Sequence, residues 1–340
     1  MAIRSIFSWL LLSAWLITNW GCSTAEENSQ KKILSAPPYQ PLTDSIRKFP
    51  QRADLYLNRG LLLSQNNQHE LASEDYRKAW ELQPDEWSGL EYSSNLMTVN
   101  DTSAALTLLK ECRSKFQDNP EFNRKLSELL AELGQFREAI AEYDILLKRD
   151  SLNFTAWYEK GILQLRDRDT AAALRSLQTS YQVHPSGFNG MVLARVYSEL
   201  QDPRVLSLCD ELLRHSPAEP LVDLLYLKGI YYSDQKNYRK ALPLFEACLA
   251  EDWKFTDAHL EIGLIYFEQQ LYSKALKTFE RAATTNLTSA DAYYWIGRCY
   301  QQLHQDDNAA QNYQKALAFD PAFSQAREKL QQLHGQKETP

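Results

Sequence analysis

The chain has 340 residues, of which 44% are hydrophobic and 24% are charged, and its mean hydropathy is −0.49. These values are typical of a soluble, well-packed protein and exclude general disorder. The formal net charge of −7 argues against a nucleic-acid partner, because nucleic-acid binding needs a basic surface. Few Gly and Pro among abundant Ala, Leu, Glu, Gln and Lys predict an all-α chain.

The N-terminal segment, residues 1–21, has the pattern of an export signal. Arg4 precedes the apolar stretch SIFSWLLLSAWLIT, which has about the length of a signal peptide and is too short for a comfortable membrane span. A secretory signal usually ends in small residues of the A-x-A type, and Asn19-Trp20-Gly21 does not fit that pattern well. Removal of the segment would make the net charge one unit more negative, because Arg4 would be lost.

The pair Gly21-Cys22 resembles the end of a bacterial lipoprotein signal, although Asn19 and Trp20 stand where Leu and Ala are usual. The resemblance implies that Cys22 is diacylated and becomes the new N-terminus. An uncleaved anchor or ordinary secretion are the alternatives. The resemblance also implies a bacterial cell-envelope location, as an outer-membrane lipoprotein facing the periplasm or exposed at the cell surface.

Two segments follow Cys22 before any repeat begins. Residues 22–38 lack a periodic apolar pattern and end in Pro-Pro, so we expect a flexible tether. The next stretch, 39–52, contains PLTDSIRKFP and is predicted to be an N-terminal capping helix.

The remainder of the chain is dominated by an internal repeat of 34 residues. Two columns of small residues keep this step: Gly229, Gly263 and Gly297 in one, and Ala241, Ala275 and Ala309 in the other. Four prolines form a third column, in which the intervals are multiples of 34 residues except that the second interval is one residue short: Pro50, Pro84, Pro185 and Pro321. We place that deletion in or near residues 87–120.

The 34-residue repeat divides residues 53–321 into eight units, each predicted to form two helices joined by a tight turn. The units begin near Ala53, Trp87, Pro120, Phe154, Phe188, Val222, Thr256 and Ala290. The second unit is irregular, because Lys110 or Leu109 stands where an aromatic residue belongs, and the fifth slips by about one residue near Pro203. Residues 322–340 are expected to form a C-terminal capping helix and tail.

The units resemble the tetratricopeptide repeat, most clearly in the last one, YYWIGRCYQQLHQDDNAAQNYQKALAFDP. It has the aromatic, small and proline residues of that family at Tyr293, Gly297, Tyr300, Ala309, Tyr313, Ala316 and Pro321. The resemblance implies a right-handed superhelical solenoid of about eight repeats with capping helices. Small residues would let paired helices approach closely, and aromatic residues would fill the space against the next unit.

In this family the first helix of each unit lines a concave groove, which implies a partner-binding surface. The corresponding positions hold Tyr158, Tyr226, Leu260, Leu264, Phe267, Tyr294 and Arg298. Aromatic residues and Arg are common in interface hot spots, although half-buried packing between units is an equal alternative. The third unit has a mixed, acid-leaning set, which consists of Glu121, Arg124, Glu128 and Glu132. The carboxylate-binding residues of chaperone-binding members are absent from the first unit, where Leu57 and Leu61 occupy their places.

No motif in the sequence indicates catalysis. Four cysteines fall in amphipathic helical patterns and are predicted to be buried free thiols: Cys112, Cys209, Cys248 and Cys299. An oxidised pair, for example Cys209 with Cys248, is the alternative. The histidines lack metal-ligand spacing, and the sequence contains no Gly-rich phosphate loop or nucleophile motif. We therefore expect no enzymatic activity, metal or cofactor.

Together these features predict a non-catalytic envelope scaffold that binds a partner protein or peptide in its concave groove. Resemblance to known lipoproteins of this architecture suggests a role in outer-membrane, pilus or cell-wall assembly. A glycan- or peptidoglycan-binding module, or an accessory subunit of an envelope enzyme, is the alternative.

Overall fold

The computed structural model describes residues 29–215 and 221–337, which are helical with short connections and contain no strand. The all-α prediction is therefore confirmed. The export signal, Cys22 and residues 22–28 of the predicted tether lie outside the described residues.

The described chain begins with two single helices, continues as eight consecutive pairs and ends with one further helix. The single N-terminal helices are α1 (29–34) and α2 (Gln40–Lys48). The first four pairs are α3/α4 (Ala53–Gln65, His69–Leu82), α5/α6 (Glu86–Thr98, Thr102–Lys115), α7/α8 (Pro120–Glu132, Phe136–Arg149) and α9/α10 (Phe154–Arg166, Thr170–Val183). The last four are α11/α12 (Gly187–Glu199, Arg204–His215), α13/α14 (Leu221–Asp234, Tyr238–Glu251), α15/α16 (Thr256–Glu268, Tyr272–Thr285) and α17/α18 (Ala290–Gln302, Asp306–Phe319). Helix α19 (Ser324–Lys337) ends the described chain.

The described residues fall into two compact units, which are divided between Asp169 and Thr170. Within each unit successive helices pack on one another, and buried apolar residues form clusters that run from one pair into the next. No single pair encloses its own core, which is the behaviour of stacked repeats. In the described segments no helix is both long and apolar enough to cross a membrane.

Each pair turns at one residue in the left-handed backbone conformation. These residues are Asn67, Asn100, Gly134, Arg168, Gln201, Lys236, Gln270 and His304. The spacing between successive turn residues is one residue shorter than the repeat length before Asn100 and again before Gln201. These two positions correspond to the irregular second and fifth units of the sequence. The first shortening lies in the connection 83–85, just before the range 87–120 to which the proline spacing assigned the deletion. This connection has three residues where several later connections have four.

Side-chain caps start several of the first helices. Asp85 accepts a hydrogen bond from the backbone of Ser88 at 2.7 Å and forms a capping box with it at the start of α5. Asn153 caps α9 and Ser289 caps α17 in the same way, through the backbone of the third residue that follows. In the fifth pair Asp202 accepts from the backbone of Arg204, so α12 begins directly after Pro203 and is shorter than its counterparts.

The N-terminal region departs from the tether expectation at residues 29–38. Ile33 and Leu34 of α1 pack against the core of the first helical pair. The Thr43 hydroxyl on α2 donates to the carbonyl of Leu34 at 2.7 Å and accepts from Nη1 of Arg59 at 2.9 Å. These contacts hold residues 29–48 to the first pair, so residues 29–38 are not a flexible tether.

Candidate binding groove

Two adjacent cavities lie along the first helices of the last four pairs, within the second unit. The larger cavity, about 510 Å³, is bordered by α11, α13 and the start of α15, and the smaller, about 370 Å³, by α13, α15 and α17. Asp234 lines both, so they form one continuous surface, which we call the C-terminal groove. Cavities of this size accommodate side chains or small ligands.

Tyr226 and Leu264 are the two predicted groove residues that line these cavities. Tyr226 is half-buried, and its ring centroid lies 5.7 Å from that of Phe245 and 5.3 Å from that of Phe255. Burial is the main cause that raises the pKa of the Tyr226 hydroxyl, with Glu261 next. Leu264 lies beside Trp295 in the smaller cavity.

Phe267 and Arg298 form an aromatic and cationic cluster on α15 and α17. The Arg298 guanidinium carbon lies 5.4 Å from the centroid of the Phe267 ring and 5.5 Å from that of Trp295. Nη1 of Arg298 donates to the Tyr294 hydroxyl at 2.9 Å. The charge of Arg298 is therefore held among aromatic rings of its own repeat and of the preceding one.

Tyr294 and Leu260 are packing residues, which corrects their assignment to an open groove. Tyr294 is only 4% exposed, and its ring lies 5.0 Å from Phe323 and 5.9 Å from Tyr313. Phe323, directly before α19, covers Tyr294 because the final helix packs its apolar face on the last pair. Leu260 is half-buried against the core between α16 and α17. For these two residues the packing alternative is correct.

Tyr158 lies on α9 in the first unit and does not line the cavities of the second. It is half-buried, and its pKa is raised by burial and then by Glu159. In the acid-leaning set of the third pair, Arg124 donates to Glu121 at 2.7 Å and also to Glu128. Arg124 therefore pairs with two of the three carboxylates and balances only one of their negative charges, so this set remains acidic.

The sequence reasoning missed the carboxylates of the C-terminal groove. Its two cavities are lined by six acidic side chains: Glu199, Asp223, Asp234, Asp257, Glu261 and Glu268. A periodic pattern was available, because Asp223, Asp257 and Asp291 recur every 34 residues near the start of the first helix. Acidic residues in the first turn also stabilise a helix through their interaction with its dipole, so the pattern alone does not identify a binding site.

The cysteines offer no reactive thiol in the described chain. Cys112, Cys209, Cys248 and Cys299 are buried and free, as predicted, and burial raises the pKa of each to about 12. The thiolate is the nucleophile and metal ligand, so these residues are poor candidates for either role. Over residues 29–215 and 221–337, no group of three or more His, Cys, Asp or Glu side chains could hold a metal ion.

Comparison with known families identifies the repeat. Two models described as tetratricopeptide repeat match residues 53–86 and 124–187, and the model of the anaphase-promoting complex, cyclosome, subunit 3, matches residues 234–316. No curated protein matches the sequence.

One solved structure supports the same fold. The chain is similar to PilW, described as a widely conserved type IV pilus biogenesis factor, with 19% identity over 63% of this chain and 98% of that one and a TM-score of 0.51. It is also similar to a tetratricopeptide repeat protein from Parabacteroides merdae, with 15% identity, coverage of 83% and 98%, and a TM-score of 0.42. Identities this low speak for the fold alone. The family matches and the 34-residue repeat make this chain a tetratricopeptide repeat protein, a class of generally non-catalytic scaffolds that bind protein or peptide partners.

Proposed function

We propose that this protein is a non-catalytic scaffold of the bacterial cell envelope that binds a segment of a partner protein in the C-terminal groove. The observation that carries the proposal is the pair of adjacent cavities on successive first helices, with Asp234 common to both. An extended or helical segment lying across α11, α13, α15 and α17 would contact both cavities at once. Half-buried aromatic residues at their edges supply the apolar area that interface anchors need.

The envelope location rests on the N-terminal sequence. Gly21-Cys22 after the apolar stretch supports lipid attachment at Cys22, and an outer-membrane lipoprotein facing the periplasm is the arrangement we favour over surface exposure. Outer-membrane, pilus or cell-wall assembly are the roles that known lipoproteins of this architecture suggest.

A site-specific crosslinker tests the groove. A photoreactive residue in place of Leu264 should crosslink one partner in the native envelope, whereas the same residue in place of Lys277, which is exposed on α16, should not. Ile230→Arg, which places a long charged side chain in the larger cavity, should abolish the crosslink while the melting temperature is retained. Equal crosslinking at both positions, or none at Leu264, would place the site elsewhere.

Metabolic labelling tests the membrane attachment. Wild type and the neighbouring control Ser23→Ala should incorporate labelled palmitate, and Cys22→Ala should not, because the lipids are attached through this residue. Equal labelling of wild type and Cys22→Ala, or none in either, contradicts the lipoprotein assignment.

A further inference from the structure

The charge of the C-terminal groove defines the chemistry of its occupant. We propose that the groove binds a basic peptide segment, in which Lys or Arg side chains are interspersed with apolar ones. This inference rests on the proposed function and adds to it the class of partner.

The acidic side chains are distributed along the whole groove. On α13, Asp223 borders the larger cavity and Asp234 borders both. On α15, Asp257 faces the larger cavity, and Glu261 and Glu268 face the smaller one. A bound segment would therefore meet carboxylates over its full length and not at one end only.

The protein supplies little positive charge to balance these carboxylates. Six acidic side chains line the two cavities, but only Arg195 and Lys236 are cationic. Two other cations of this unit are engaged elsewhere: Lys228 pairs with Asp210, and Arg298 lies among the rings of Phe267 and Trp295. None of the six carboxylates forms an ion pair within the described chain.

Glu261 shows the cost of this imbalance most clearly. Its side chain is half-buried between the two repeats, and burial, followed by the charges of Asp234 and Asp257, raises its pKa to about 7. A carboxylate in such a position is stabilised by a neighbouring cation. An ammonium or guanidinium group from a ligand would supply the missing charge.

The apolar part of the groove can also accommodate Lys and Arg side chains of a bound peptide. Tyr226 and Ile230 line the larger cavity, and Leu264 and Trp295 line the smaller one. Lys and Arg bury an apolar stem while the charged end stays polar, and the faces of aromatic rings attract cations. The two cavities, each with aromatic and acidic sides, fit basic side chains separated by apolar residues.

Matched synthetic peptides test the proposal on the full-length protein. Three fluorescent peptides of about twelve residues share the same Leu positions and carry Lys, Gln or Glu at all other positions. At low salt we expect the Lys peptide to bind at least about tenfold more tightly than the Gln peptide, and the Glu peptide not to bind. Added salt should weaken binding of the Lys peptide, because it screens the charges. A photoreactive group on the Lys peptide should label α13 or α15.

Two double variants separate the groove from general negative charge. The double variant Glu261→Gln with Asp234→Asn should weaken binding of the Lys peptide about tenfold while the melting temperature of the protein is retained. Glu246→Gln with Glu251→Gln, which removes two exposed carboxylates of α14, should leave binding unchanged.

The results distinguish this inference from the proposed function. Equal binding of the Gln peptide, no binding of the Lys peptide, or no effect of Glu261→Gln with Asp234→Asn would overturn the basic-segment inference. A partner crosslink at Leu264 would still support the groove as a protein-binding site. Loss of that crosslink, with the Lys peptide bound outside the groove, would overturn both.

Discussion

At the residue scale, close packing of the paired helices depends on glycine facing an aromatic ring. A Cβ added at Gly263 would lie 2.5 Å from Cε1 of Phe279, and one added at Gly229 would lie 2.5 Å from Cε1 of Phe245. Both rings are fully buried and cannot swing aside. The repeated Gly column therefore exists because the ring of the second helix occupies the space of a side chain on the first.

Gly263→Ala should lower the free energy of unfolding by about 1 kcal/mol. Overpacking a core costs about 1–3 kcal/mol, and the better helix propensity of Ala offsets up to about 1 kcal/mol of that loss. Urea unfolding should also show that the same change is neutral or stabilising in a Phe279→Leu background, where the clash is removed. Gly60→Ala is the matched control and should lose less stability, because a Cβ added there would lie 3.0 Å from the nearest ring atoms of Tyr76. Identical losses at Gly60 and Gly263 in every background would contradict this account.

At the scale of helices, a buried ion pair connects the N-terminal cap to the first pair. Arg59 on α3 donates from Nε and Nη2 to both carboxylate oxygens of Asp75 on α4, each at 2.7 Å, and from Nη1 to Thr43 on α2. Burial raises the pKa of Asp75, and the hydrogen bonds and charge of Arg59 lower it in part. The pair matters because neither charge has another ionic partner in the described chain.

Arg59→Leu should destabilise the protein by about 3 kcal/mol, because it leaves the Asp75 carboxylate buried without a cation. Without Arg59 the pKa of Asp75 in the folded state rises further above its unfolded value. Folding stability should then be higher at acid pH and fall as the pH rises through that pKa. Urea denaturation at several pH values checks both effects. Adding Asp75→Leu should recover most of the loss, and a double variant no more stable than Arg59→Leu would contradict the assignment.

At the scale of the whole molecule, successive helical pairs within each compact unit contact mainly their neighbours. The last pair depends on α19, whose Ala326 and Leu333 are buried against Tyr294 and Tyr313. Stability in such a chain is local, so damage at one end should remain near that end.

Leu333→Ala should therefore expose the C-terminal core without unfolding the N-terminal repeats. Loss of a buried Leu costs about 2–5 kcal/mol at the site. Hydrogen exchange should show faster exchange in α17 and α18 and unchanged protection in α3 to α6, and the exposed neighbour Gln332→Ala should change neither. Equal loss of protection along the whole chain would mean that all repeats unfold together.

Much of the fold could be predicted from the sequence because the repeat is a local property. The Gly and Ala columns, the terminating prolines and the slip in the fifth unit are visible as spacing. The structure places helix starts within one residue of the predicted unit starts. The predicted tether was wrong over residues 29–38, because its packing depends on contacts with Arg59 and the first pair that no local pattern reveals.

The binding groove could be predicted only in part. Tyr226 and Leu264 line it as the repeat positions indicate, whereas Tyr294 is covered by Phe323 and Arg298 is enclosed by rings. The sequence by itself determined the repeat and the helical pairs, because each depends on neighbouring residues or on a fixed period. Only the tertiary structure decided which side chains line the groove and that they are mostly acidic, because burial and cavity lining depend on neighbours from other repeats.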